Sequence, residues 1–319
     1  MRWLVTGASG FVGRALVARL AADAANEVRV AVRVPNGPLP VGVHRLVMPE
    51  LGPQTDWTAA LEGVDVVVHL AARVHVMHEK AREPLVEFRR VNVQATLQLA
   101  RQAAQAGVRR FVFVSSVKVN GEFTLPGAAF GPDDLPQPQE AYSRSKQEAE
   151  AALQELARAV PMEVAIIRPP LVYGPGVRAN FRALMRAVAH ACPLPLGAVD
   201  NRRSFLALDN LVDLVVVCAR HPAAANQVFM ASDGCDLSTT ELLRRLGRVM
   251  NRPAYLWSVP GAVLQWGAWL VGRGAAVQRL CGNLQVDISK TRTLLDWTPP
   301  VSVDEGLRRA AEAYLRDSG

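Results

Sequence analysis

LVTGASGFVGRALVARL, residues 4–20, decides the fold. The stretch leaves a short apolar strand, turns through Gly7, Gly10 and Gly13, and continues with apolar residues at helical spacing. In a strand-to-helix turn of this kind the first glycine permits the tight turn and the second lets a ligand approach the backbone. The third lets helix pack on strand, and the helix N-terminus faces the ligand with its free N–H groups, a cradle for a pyrophosphate. Three glycines alone are weak evidence. Their position, directly after the first strand of the chain, makes a dinucleotide the expected ligand.

Working outward, short Val-rich runs alternate with helical patterns. Strands are expected at Trp3–Val5, Val28–Val32, His44–Val47, Val64–Leu70, Phe111–Val114 and Val164–Ile167, and helices at Phe11–Ala24, Val91–Ala106 and Tyr142–Ala159. Near-continuous apolar strands separated by helices imply a parallel sheet covered on both faces, a doubly wound α/β fold of Rossmann type. Pro and Gly thicken at 123–138 and at 168–176, where loops leave the carboxyl ends of strands and open α/β sheets bind ligands. Residues 1–175 are expected to form the dinucleotide-binding domain, with later elements returning to it. Residues 176–319, a less regular mixture of helices and short strands, are expected to form a smaller mixed α/β substrate-binding part.

At 319 residues and 50% hydrophobic content the chain can bury a large core. Four dispersed cysteines without a CxxC pair suggest neither disulfides nor zinc, and no signal peptide is evident, so a cytoplasmic protein is expected. The net charge of +7 comes without a basic run interleaved with aromatics, which favours an anionic small ligand over nucleic acid. The most membrane-like run, Val259 to Val271, is too short to span a bilayer, so no integral membrane segment is expected and a buried or interfacial helix is the default.

Arg33 follows the second strand, with no acid near it. A carboxylate there would meet a ribose hydroxyl, whereas a guanidinium can pair with a 2′-phosphate, so NADP is expected, with NAD possible. The plainer reading of Arg33 is a solvated surface side chain. Tyr142 and Lys146 open a helix four residues apart, which puts phenol and ammonium on one face. A nearby ammonium stabilises phenolate and fits the phenol for proton exchange with a substrate oxygen. Ser115 and Ser116 end the preceding strand, a suitable place for a hydroxyl that polarises the same oxygen. His69, His75 and His78 lack an acidic third ligand and read as structural, so no metal is expected.

Together, residues 6–13 (TGASGFVG), His69–Ala72 (HLAA), Asn92-Val93, Ser115-Ser116, Tyr142 with Lys146, 168–176 (RPPLVYGPG), Arg203-Ser-Phe205 with Asp209, and the closing DISK and LDWTP segments resemble the extended short-chain dehydrogenase/reductase family, the NAD-dependent epimerases and dehydratases. The resemblance spans nearly the whole chain. It implies Ser116, Tyr142, Lys146 and Asn92 as catalytic residues, Asn92 through a structural and proton-relay role that a core hydrogen bond alone would also explain. It implies cofactor contacts from Gly7, Ser9, Gly10, Phe11, Val12, Gly13, Arg33, Glu50, Leu51, Leu70, Ala71, Ala72, Tyr142, Lys146 and Pro169. Glu50-Leu51 departs from the family's Asp-Leu beside the adenine. Ser116, Lys118, Asn180 and Arg203, with Asp209 nearby, would meet a UDP-sugar, and the two helices at 91–106 and 142–159 would form a homodimer interface.

Family dehydratases carry an Asp-Glu pair just after the catalytic Ser/Thr, and Val117-Lys118 here cannot do that proton chemistry. Reductase and 4-epimerase remain. Arg33 favours reductase, and the runs VVHLAARVHVMHE, EFRRVNV and SSVKVNG resemble bacterial reductases of O-antigen precursor synthesis, which implies reduction of UDP-N-acetyl-4-keto-6-deoxyglucosamine to UDP-N-acetylquinovosamine. UDP-glucose or UDP-N-acetylglucosamine 4-epimerase is the alternative, and a non-catalytic NADP sensor a remote one. Asn120 replaces a family tyrosine and is expected, with Lys118, to shape the wall beside the sugar.

Overall fold

A computed structural model describes every residue except 36, 49, 75–82, 262, 265–273 and 319. His75 and His78 therefore lie outside the described residues, as does most of the 259–271 run.

Nine strands are described: β1 (Arg2–Thr6), β2 (Glu27–Val32), β3 (Val43–Val47), β4 (Val66–His69), β5 (Arg110–Val114), β6 (Glu163–Arg168), β7 (Leu171–Tyr173), β8 (Phe205–Ala207) and β9 (Val228–Met230). The helices are α1 (Phe11–Ala21), α2 (Thr58–Leu61), α3 (Pro84–Arg89), α4 (Ala95–Gln105), α5 (Ala141–Ala159), α6 (Ala179–Ala189), α7 (Leu208–Arg220), α8 (Thr239–Val249), α9 (Gly274–Cys281), α10 (Ser289–Leu295) and α11 (Val303–Ser318). Seven strands form one parallel sheet in the order β3-β2-β1-β4-β5-β6-β9, and β7 and β8 form a separate parallel pair.

Alternation along the central strands explains why the sheet is covered on both faces. Trp3, Val5, Val66, Val68 and Val112 point to one side, where α1 supplies Leu16, Val17 and Leu20 and α7 supplies Leu211, Leu214 and Val215. Leu4, Val67, Phe111 and Phe113 point to the other, where α4 supplies Leu99 and α5 supplies Leu153. A strand buried on both faces needs apolar residues at every position, which is why these runs carry almost no polar interruption. A third core, around Tyr173, Phe181, Phe205, Leu243, Leu246 and Leu307, joins β7 and β8 to α6, α8 and α11. Phe11, the first residue of α1, packs against both the first and the third core.

The sequence pattern differs from the structure at two places that matter for the site. The helix expected at 91–106 is continuous with α3 through a π-helical turn at Arg90–Gln94, and Asn92 sits in that turn. Extra residues in a π turn displace side chains from α-helical register, so the 3.6-residue pattern breaks there. The short strands β7, β8 and β9 were not among the expected strands. Each has three residues, too few to show a period.

Candidate functional site

The carboxyl ends of β1, β4, β5 and β6 meet at one edge of the sheet, and the strand order reverses between β1 and β4. The crevice outside such a reversal is where open α/β sheets take their ligands.

Gly7 follows β1 with φ +70°, and a Cβ there would lie 2.7 Å from the backbone N of Ala71. The loops after β1 and β4 are therefore pressed together along Leu70 and Ala71, which with Ala72 are half-buried. A Cβ on Gly13 would lie 2.1 Å from the Gly7 carbonyl oxygen, so helix and strand touch through bare backbone. Gly10 differs: it is exposed, and a Cβ there would meet only the Gly7 oxygen, at 3.1 Å. It caps α1 without a side-chain hydrogen bond, and the first turn holds no acidic residue. Ser9 beside it is exposed, while Phe11 and Val12 are half-buried. An open helix N-terminus free of acid, floored by glycine, suits a dinucleotide pyrophosphate.

Farther along the crevice, Arg33 is exposed one residue beyond β2. The Arg45 guanidinium on β3 donates to the carbonyl oxygens of Pro35 and Gly37, bracing the loop that follows Arg33. Glu50 is exposed and pairs with Arg90, while Leu51 packs against the second core.

His69 ends β4 fully enclosed. One ring nitrogen lies 2.7 Å from Thr6 Oγ1 and the other 2.9 Å from Thr96 Oγ1, and Phe113 stacks on the ring. Burial and the Lys146 charge hold its pKa down at about 3, so it is neutral. With both nitrogens engaged it joins β1, β4 and α4.

Ser115 and Ser116 follow β5 and are not equivalent. Ser115 Oγ is buried and, among the described residues, has no hydrogen-bond partner. Ser116 Oγ accepts from Lys118 N at 3.2 Å, which leaves its own proton free to donate. Tyr142 lies in the first turn of α5, its ring edge-on to Phe88. Burial pushes its phenol up to about 12. Lys146, one turn on, donates to the carbonyl oxygen of Val114 at 2.8 Å and lies 4.2 Å from the centre of the Phe113 ring. Burial lowers its pKa to about 7, with Glu150 opposing the shift. The ammonium is thus set against the end of β5, two residues before Ser116, and Tyr142 opens the helix that carries it.

Asn92 is 1% exposed and its amide is committed to structure. It accepts from Arg73 N at 2.8 Å and donates to Arg73 O at 3.0 Å and Ser145 Oγ at 2.9 Å. These bonds tie the loop after β4 to α5 next to Lys146.

The residues after Ser116 divide sharply. Val117 is buried in a small apolar cluster with Met230, Leu284, Val286 and Ile288. Lys118 Nζ pairs with Glu122 at 3.0 Å and Glu140 at 2.7 Å. Asn120 corrects an expectation: it is sealed at 2% exposure and does not form an open wall. It donates to Gly131 O and accepts from Arg168, whose guanidinium also holds Glu150 at 2.6 Å in an almost fully enclosed ion pair. A buried ion pair needs every remaining donor satisfied, and Asn120 supplies an acceptor. Neither Glu140 nor Glu150 was singled out in the sequence, although Glu150 lies four residues beyond Lys146 on the same helical face.

Pro169, buried at the end of β6, accepts from Val117 N. Arg203 is half-buried and donates to Gly282 O at 2.9 Å; burial lowers its pKa, with the Glu122 charge opposing. Asn180 is exposed in the first turn of α6, and Asp209 on α7 pairs with Arg309 at 3.0 Å.

Comparison with known proteins accords with this geometry. A family model described as the NAD dependent epimerase/dehydratase family matches residues 3–231. The chain is 45% identical over 318 residues to a UDP-glucose 4-epimerase of Vibrio cholerae, covering 98% of this chain and 95% of that one. Among solved structures it resembles MoeE5 in complex with UDP-glucose and NAD, at TM-score 0.79 and 25% identity over the whole of both chains. It shares the fold of a UDP-glucuronic acid 4-epimerase from Bacillus cereus in complex with NAD, at TM-score 0.80 and 22% identity over the whole of both chains. The chain is an enzyme of the NAD-dependent epimerase/dehydratase family, the extended short-chain dehydrogenases/reductases.

Proposed function

We propose that this enzyme inverts the C4 configuration of a UDP-hexose, in the manner of a UDP-glucose 4-epimerase. The observation that carries this reading is the end-to-end 45% identity to a protein of that name, on a chain that carries Ser116, Tyr142 and Lys146. It displaces the reduction of a 4-keto sugar that the sequence favoured.

A bound dinucleotide supplies the means of taking a hydride from C4 and returning it. Gly7, Gly10 and Gly13 with Ser9, Phe11 and Val12 would hold its pyrophosphate, Leu70, Ala71, Ala72 and Pro169 would line its path, and Glu50 and Leu51 would serve the adenine. Ser116 donates to the C4 oxygen, and Tyr142 takes the hydroxyl proton and gives it back. Lys146 in its charged form favours the phenolate and holds the cofactor ribose. Asn92 acts by positioning, through Arg73 and Ser145. Arg203, Asn180 and Lys118 bind the nucleotide-sugar within the part at 176–319 and its border. Val117, shut in an apolar cluster, cannot do the acid chemistry of a dehydratase.

A second reading, NADPH-driven reduction, is favoured by one observation: Arg33, exposed past β2 on a braced loop, is suited to a 2′-phosphate. Incubating the purified protein with UDP-glucose, UDP-N-acetylglucosamine and a UDP-4-keto-6-deoxy sugar in parallel separates the two. Interconversion of UDP-hexoses without net NADH or NADPH turnover is expected. Stoichiometric NADPH oxidation with the keto sugar alone would overturn epimerisation in favour of reduction. A homodimer formed through α4 and α5 in the cytoplasm completes the proposal, and small-angle scattering should report twice the chain mass.

A further inference from the structure

Far from the crevice in sequence, the end of α8 carries a cluster of charge that the proposed chemistry does not use. Arg244, Arg248 and Arg252 line an open cavity of about 320 Å³ together with Gly247, Asn251, Pro253 and Ala254. No acidic side chain lines it. Arg245, between them, is already committed to Glu241 and Asp304, whereas among the described residues no ion pair involves Arg244, Arg248 or Arg252. Three exposed arginines line one hollow without an acidic neighbour there, and an anionic partner would offset their like charge.

The chain leaving this cavity is extended and fixed. Leu194 N donates to Tyr255 O, Trp257 N to Leu194 O, and Gly197 N to Trp257 O. Along it Ala254 and Leu256 turn inward to the third core, while Tyr255 and Trp257 stand 52% and 66% exposed. Tyr255 is two residues and Trp257 four residues past Pro253, within about 7 and 14 Å of the cavity wall along an extended chain. Two aromatic side chains on one outward edge, beside unpaired arginines, match the demands of a lipid interface. There an amphipathic ring sits at the headgroup level and cations meet anionic lipid. In sequence the chain then runs on as VPGAVLQWGAWLV, residues 259–271, an apolar composition that would favour the same environment.

We infer that the face bearing Arg244, Arg248, Arg252, Tyr255 and Trp257 docks the enzyme on an anionic phospholipid bilayer. The contact is peripheral, because no described helix is long and apolar enough to cross a membrane. It is independent of whether the enzyme epimerises or reduces its substrate.

The test is co-sedimentation of the full chain with vesicles of phosphatidylcholine alone or mixed with phosphatidylglycerol. Binding to the mixed vesicles, weakened by salt, is expected. The Arg244→Gln, Arg248→Gln, Arg252→Gln triple variant should lose about a hundredfold in partition coefficient, since each arginine at an anionic surface is worth a factor of about five. Trp257→Ser should weaken binding while leaving its salt dependence intact. Unchanged thermal melting and turnover in these variants, whose side chains lie outside the catalytic machinery, would establish that they fold. Failure of wild type to bind the anionic vesicles, equal binding to neutral ones, or equal binding by the triple variant would overturn the inference. So would capture of duplex DNA in place of vesicles through the same arginines.

Discussion

The ammonium of Lys118 lies 2.7 Å from the carboxylate of Glu140, and this pair links the segments that carry Ser116 and Tyr142. On one side, Lys118 N donates to Ser116 Oγ. On the other, Glu140 caps the N-terminus of α5 through a reciprocal bond with Ser143, two residues before which the helix begins and presents Tyr142. Arg279 of α9 also pairs with Glu140, at 3.1 Å.

Lys118→Met should therefore act on turnover more than on folding. A partly exposed ion pair contributes roughly 0–1 kcal/mol to stability, whereas a small misplacement of Ser116 against Tyr142 can cost 10- to roughly 100-fold in rate. Steady-state kinetics and a denaturant melt on the same sample measure both. A drop in kcat with a small change in Tm is expected, and Lys118→Arg should restore most of the rate. A loss of stability that accounts for the whole loss of activity would refute the linkage.

Lys146 gives the folded state a dependence on alkaline pH. Its folded pKa is near 7 and its ordinary value is 10.5. Between these values the unfolded chain binds a proton that the folded chain does not, so stability should rise with pH across that window. Above about 10 the phenol of Tyr142 reverses the trend, because burial holds its proton in the fold after the unfolded chain has lost it. Urea melts of the protein without cofactor at pH 7 and pH 9, compared with those of Lys146→Met, should show the rise in wild type alone.

At the acid end His69 governs. With a folded pKa of about 3 against an ordinary 6.5, it stays neutral while the unfolded chain takes up a proton. Stability should fall as pH drops from 6.5 toward 3, and the fall should be shallower in His69→Gln, which cannot bind that proton. Equal slopes for the two proteins would contradict the assignment.

Arg168→Met should destabilise the fold by about 3–5 kcal/mol, because it strands the Glu150 carboxylate in the interior. Adding Glu150→Leu should recover part of that loss, since removing both charges also removes their desolvation cost. Chemical denaturation of the single and double variants distinguishes this pair from one that simply adds stability.

Arg168 also marks where the reading of local sequence stops. The glycine turn and the Val-rich strands are local patterns, and each imposes its geometry within a few residues. The parallel sheet and the strand-to-helix glycine turn were legible for that reason. Asn120 was expected beside the ligand because it replaces a family tyrosine, but its partner Arg168 is 48 residues away and its other contact lies in the loop at 131. Burial of a polar residue is decided by such distant partners, which no local spacing records. Reaction type was harder still, because epimerase and reductase ask the same chemistry of Ser116, Tyr142 and Lys146.

The pairing of β9 with β6 means that residues 1–175 do not contain the whole of the parallel sheet. A fragment ending at residue 175 would lack β9 and expose the whole outer edge of β6, an open template for another strand. It would also lack α7 and uncover the face of the sheet that Leu211, Leu214 and Val215 shield. During synthesis, then, β6 gains its outer neighbour only after the ribosome has passed Met230.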